Sequence, residues 1–114
     1  MSYQFDYFQS LEALNTALNE NDALLIYFNS SSCNVGEAVA PKIMNLIQEK
    51  FSKIKFYFVD RQLNPEIAAA HSVFVEPTVL VFFAGKETVR KSRLFSIDEI
   101  EMVIERPYSI IFES

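Results

Sequence analysis

The chain has 114 residues, half of them hydrophobic, with 11 Phe and no Trp. That suits one domain around a single well-filled core. A net charge of −5 without a Lys/Arg cluster offers no footprint for a phosphate backbone, so no nucleic acid partner is expected. One cysteine and one histidine exclude a disulfide framework and a Cys/His zinc site, and no metal or cofactor is expected.

The start, Met1 to Asp6, lacks the basic and apolar regions of a secretory leader. No apolar run approaches the roughly 20 residues of a membrane span. The expectation is a cytoplasmic protein with a reduced thiol and no membrane partner.

Residues 3–8 alternate aromatic and polar and predict a first strand. Ser10 stands as an N-cap before Leu11, Leu14 and Leu18 at helical spacing, and the cluster Asn19-Glu20-Asn21-Asp22 ends that helix. Ala23 to Phe28 (ALLIYF) is an apolar run of the kind found in a strand covered on both faces. Ser30-Ser31-Ser32-Cys33 follows as a polar loop. Residues 35–51 then predict a helix with Val39, Ile43, Leu46, Ile47 and Phe51 on one stripe. Pro41 lies inside it and predicts a kink.

Ile54 to Asp60 (IKFYFVD) predicts a further strand, and Asn64-Pro65 a cap and first position for a short helix through Ala70. His71 falls at that helix end, which predicts a surface or capping role. Thr78 to Phe83 (TVLVFF) predicts a buried strand and Glu87 to Arg93 a polar edge strand after an Ala84-Gly85-Lys86 turn. Ser96 with Glu99 forms a capping box for a last helix, expected to run to about Glu105 and stop at Pro107. Residues 107–114 are read as a C-terminal extension, apolar enough at Tyr108 to Phe112 to pack on something.

The order β-α-β-α-β-α-β-β-α implies an α/β domain, a central mixed sheet with helices on both faces. The punctuation adds a family likeness. A buried strand leads into a cysteine at a helix start, the helix carries Ala40-Pro41, and "VDRQLNPEIAAAHSVFVEPTVLVFFAGKE" gives strand, Asn-Pro, short helix, X-Pro-Thr, strand and Gly turn. Over residues 3–106 this resembles the thioredoxin family. The resemblance implies a single thioredoxin-fold domain over 1–114, Cys33 at the nucleophile's place and Pro77 at that of the cis-proline.

The departures from the family are also specific. Ser32-Cys33-Asn34-Val35-Gly36 stands where thioredoxins carry Trp-Cys-Gly-Pro-Cys, so Gly36 replaces the resolving cysteine. Tyr27 replaces the buried acid, and Glu76 precedes the proline where an apolar residue is usual. Dithiol exchange needs two thiols, so only monothiol chemistry with an external resolving thiol remains for Cys33. The helix N-terminus favours a thiolate there, while the carboxylates of Glu37 and Glu76 oppose it.

Two functions fit these residues. In the first, Cys33 is the catalytic thiol of a thioredoxin-like redox protein. Ser32, Asn34, Val75, Glu76, Pro77 and Thr78 then form the substrate-binding surface for a protein or a low-molecular-weight thiol. In the second, the same groove, or the apolar tail, belongs to a non-catalytic protein-binding module.

Overall fold

The computed structural model describes residues 6–113. Side-chain alternation along two central strands builds its core. Every residue of β2 (Ala23–Asn29) and β4 (Thr78–Phe83) is buried. Ala23, Leu25 and Tyr27 join Val79, Val81 and Phe83 in one apolar cluster, while Leu24, Ile26 and Phe28 join Leu80 and Phe82 in another. A period of two thus supplies both faces of one sheet, which is why these strands read as unbroken apolar runs.

The sheet has the order β1-β3-β2-β4-β5, with β1 at Asp6–Tyr7, β3 at Lys55–Asp60 and β5 at Lys86–Ser92. The β1, β3 and β2 strands are parallel; β4 runs antiparallel to β2 and β5 to β4. Residues 3–5 of the expected first strand lie outside the described residues. The β5 edge exposes Lys86, Glu87 and Arg90, buries Val89, and shifts register at Val81/Phe82, devices that discourage edge pairing. Ala84 and Gly85 both have positive φ, 53° and 77°, as a tight hairpin of this twist requires.

One cluster is covered by α2 (Asn34–Lys50) through Ile43 and Ile47 and by α4 (Ile97–Phe112) through Ile100 and Ile104. The other is covered by α1 (Leu11–Glu20) through Leu14 and by α3 (Pro65–Ala70) through Ile67. Ser10 accepts from the Ala13 amide, and the Ser96/Glu99 capping box forms with both bonds present. Asn64 precedes Pro65 as expected, yet its side chain makes no cap bond.

The last helix does not stop at Pro107; it continues to Phe112. An interior proline costs a helix about 3 kcal/mol. Tertiary contacts of the next turn offset that. Tyr108 is buried, lies edge-on to Phe51 at 5.1 Å, and accepts a hydrogen bond from the Lys53 amide at 3.2 Å. Phe112 packs against Tyr108 at 4.8 Å with the Lys53 ammonium 5.4 Å above its ring. Residues 107–112 are the end of α4 rather than a separate extension. Tyr108 and Phe112 are engaged with the protein's own core, which leaves Ile110 and Ile111 as the exposed apolar residues of the tail.

His71 is the C-cap of α3, its amide reaching the carbonyls of Ile67 and Ala68. Its ring lies edge-on to Phe82 at 5.7 Å, and its buried Nε2 has no hydrogen-bond partner among the described residues. Burial holds its pKa below the usual histidine value, with the Glu87 charge opposing and Arg90 assisting. The folded state then resists protonation, so the unfolded chain takes up the proton first as pH falls. The stability His71 contributes is complete above about pH 6.5 and is lost as pH falls through the lowered folded value. The thermal midpoint is expected to drop between pH 7 and 5, and His71→Leu to flatten that part of the curve. A wild-type midpoint constant over this window would show a freely titrating ring.

Candidate functional site

Cys33 sits at the N-cap of α2, directly after β2 and the Ser30–Ser32 turn. Its amide donates to the Ser30 carbonyl at 3.1 Å, and its own carbonyl accepts from the Glu37 amide at 3.1 Å. The side chain is partly exposed and makes no capping bond. Its position is the N-cap, at the end of the helix whose first-turn amides lack intrahelical partners.

Gly36 lies one turn further on, and the space beside it is already filled. A Cβ built on Gly36 would overlap Asn29 Oδ1 and Cγ. Asn29 is wholly buried at the end of β2, and its Nδ2 donates to the carbonyls of Ser30 at 3.1 Å and Cys33 at 3.2 Å. These two bonds fix the amide over Gly36. Asn29 thus supports the Cys33 loop from beneath and occupies the room that a resolving side chain would need.

Tyr27 is fully buried and donates its hydroxyl proton to the Gly36 carbonyl at 2.6 Å. Burial first, and then the neighbouring Cys33 thiolate, push its pKa far above the normal phenol value. It stays protonated and cannot relay a proton as a buried carboxylate would.

The Glu76–Pro77 loop faces Cys33, and its peptide bond is cis. Glu76 Oε1 accepts from Ser30 Oγ at 2.7 Å, and Oε2 accepts from Arg61 Nε at 2.8 Å. Ser32 donates to Ser30 at 2.9 Å, since the Ser30 proton is already given to Glu76, and Gln62 Nε2 donates to Ser32 at 3.0 Å. The expected repulsion between Glu76 and a thiolate is therefore blunted: the carboxylate is compensated by Arg61 and ties the proline loop to the cysteine loop.

A groove of about 540 Å³ is lined by Cys33, Val35, Glu76, Pro77, Ser92, Arg93 and Leu94. Ser32, Arg61, Val75, Glu76 and Arg93 line an adjoining one of about 450 Å³. The structure thus brings Cys33, Glu76 and Pro77 to one groove and Ser32 and Val75 to the next. Asn34 is exposed on the first turn of α2 and lines neither. Thr78 lies beneath the loop, fully buried, with its hydroxyl bound to the Val75 carbonyl at 2.8 Å. That bond ties Thr78 to the loop ahead of the proline. A third groove, of about 550 Å³ and lined by Tyr7, Gln9, Asp60, Leu63 and Asn64, contains neither thiol nor imidazole. Among the described residues no cluster of three His, Cys, Asp or Glu could hold a metal ion, and no helix is long and apolar enough to cross a membrane.

The family model for thioredoxin matches residues 8–106, nearly the whole described chain. The chain belongs to the thioredoxin family. It is 27% identical to thioredoxin-like protein YdfQ of Bacillus subtilis over 101 residues, 89% of each chain. Thioredoxin 1 of Thermosipho africanus superimposes with a TM-score of 0.70 at 33% identity, covering 76% of this chain and 96% of that one. The Fasciola hepatica thioredoxin gives a TM-score of 0.78 at 27% identity, over 88% and 97% of the two chains. The mixed five-stranded sheet with helices on both faces is the thioredoxin fold.

Sequence reasoning missed Asn29, Arg61 and Arg93 in this thioredoxin-family site. Asn29 carried one signal, a polar residue closing a wholly apolar strand. Gly36 in the first turn of a helix carried another, because glycine there costs about 1 kcal/mol relative to alanine. The Arg61–Glu76 pair had none, since only the sheet brings those positions together.

Proposed function

We propose that this thioredoxin-family protein is a monothiol redox protein. Cys33 is its one reactive position. The observation that carries this reading is the pairing of an accessible Cys33 with a resolving position filled by Asn29. The Cys33 thiolate attacks a partner disulfide, an Sγ–S bond forms, and the leaving thiolate departs with the electron pair of the broken S–S bond. An external thiolate then attacks the mixed disulfide and frees Cys33.

The partner, a protein or a low-molecular-weight thiol, lies along Ser32, Val75, Glu76 and Pro77 with Asn34 at the rim. The backbone of Val75-Glu76 offers an edge to an extended segment, as in strand addition. Thr78 maintains the shape of that edge. A reducing compartment such as the cytoplasm supplies the external thiol.

Mixing native protein with oxidised glutathione and following intact mass tests the reading. One adduct that free thiol reverses is expected, and none with Cys33→Ser. A Cys33 inert in the native state but labelled after denaturation would sink the proposal. The alternative, a non-catalytic binding module, draws on the exposed apolar rim of Val35, Phe74 and Leu94, which are 61%, 68% and 91% exposed. It requires that Cys33→Ser retain full biological activity.

A further inference from the structure

Arg93 is the cation of the Cys33 groove that no acid compensates. Arg61 is bound to Glu76 and to the Val73 carbonyl at 3.2 Å. Arg90 is bound to Glu87 and to the carbonyls of His71 and Ser72. Lys91 lies 3.8 Å from Glu99. Among the described residues no carboxylate pairs with Arg93, and its guanidinium donates no hydrogen bond to any of them. It lines both grooves, on either side of Glu76.

The backbone places it there against its own preference. Arg93 has φ 66°, a left-handed conformation that is unfavourable for a residue with a Cβ, and its amide donates to the Pro77 carbonyl at 2.8 Å. A glycine would sit in this turn without that conflict, yet the chain presents a long cation tied to the proline loop beside Cys33.

We propose that Arg93 is the anion anchor of this groove, and that its ligand is a small thiol or disulfide carrying a carboxylate. The proposal rests on the monothiol reading above. A guanidinium pairs a carboxylate through two parallel hydrogen bonds, which orients as well as attracts it. Val35 and Leu94 provide apolar walls for the carbon skeleton, and about 540 Å³ accommodates a tripeptide-sized molecule. Net charge selects the small ligand over an acidic protein. A chain of net charge −5 repels a many-charged acidic surface, whereas one carboxylate responds mainly to the cation it touches. The chemistry balances within the pair: the ligand disulfide is the oxidant, an Sγ–S bond replaces its S–S bond, and one ligand thiolate leaves with the electron pair.

The test compares second-order rates of Cys33 adduct formation with oxidised glutathione, which carries carboxylates, and with cystamine, which does not. Arg93→Gln is expected to slow the first about 5–10-fold and to leave the second unchanged or faster, with Arg93→Lys in between. Arg93→Gly relieves the left-handed backbone, so its Tm is expected to be no lower than wild type while its rate with oxidised glutathione falls as for Arg93→Gln. A wild type that reacts with neither disulfide overturns the monothiol reading and the anchor together. A wild type that reacts with both, and an Arg93→Gln that slows neither or both alike, overturns the anchor alone.

Discussion

Gly36→Cys is expected not to form a disulfide with Cys33. The new side chain meets the Asn29 amide, which is buried and held by two carbonyls. Overpacking of this kind costs about 1–3 kcal/mol, and at roughly 4–8 °C per kcal/mol it is visible as a lowered Tm. Treated with oxidised glutathione, the variant should accumulate the Cys33 adduct rather than an internal disulfide. Asn29→Ala/Gly36→Cys opens the space. Positions 33 and 36 are one helical turn apart, a separation a disulfide spans. The double variant should therefore close, read as a mass lower by two hydrogens and the loss of both free thiols. Asn29→Ala alone also destabilises, because it removes the donor from two carbonyls. The two changes are then strongly non-additive, with a coupling of about 1–3 kcal/mol in a double-mutant cycle. A single Gly36→Cys variant that closes its disulfide as readily as the double variant would remove the role assigned to Asn29.

The second large effect lies at the end of α4. Tyr108→Ala is expected to destabilise the fold by about 3–4 kcal/mol, measured by urea denaturation, because it empties a buried aromatic site against Phe51. It also leaves the Lys53 amide without the hydroxyl that accepts from it. Ile110→Ser, two residues on and 58% exposed, should change stability by less than about 0.5 kcal/mol. Equal effects at the two positions would mean that the last turns are not docked as described, and that Pro107 does end the helix in solution.

The architecture was legible in the sequence because it rests on local periodicity. ALLIYF and TVLVFF announce strands buried on both faces, and the stripe of Ile43, Leu46 and Ile47 announces the helix laid over one of them. Ser10, Ser96 with Glu99, and Pro65 mark helix starts through bonds or dihedrals that involve only a few neighbouring residues. Cys33 and Pro77 were legible as candidates through their family setting, and the fold brings both to one groove.

The sequence by itself thus determined the order of the elements, the thioredoxin fold and the single thiol at a helix start. Only the tertiary structure decided three other matters. Pro107 could remain inside α4 because Phe51 and Lys53, far away in the chain, stabilise the turn that follows it. Glu76 is paired with Arg61 and hydrogen-bonded by Ser30, because those two residues converge on it from two other segments. The resolving position was closed, not merely vacant, because β2 delivers Asn29 beneath Gly36. Each of these depends on groups brought together across the sheet, and short-range pattern carries no information about such neighbours.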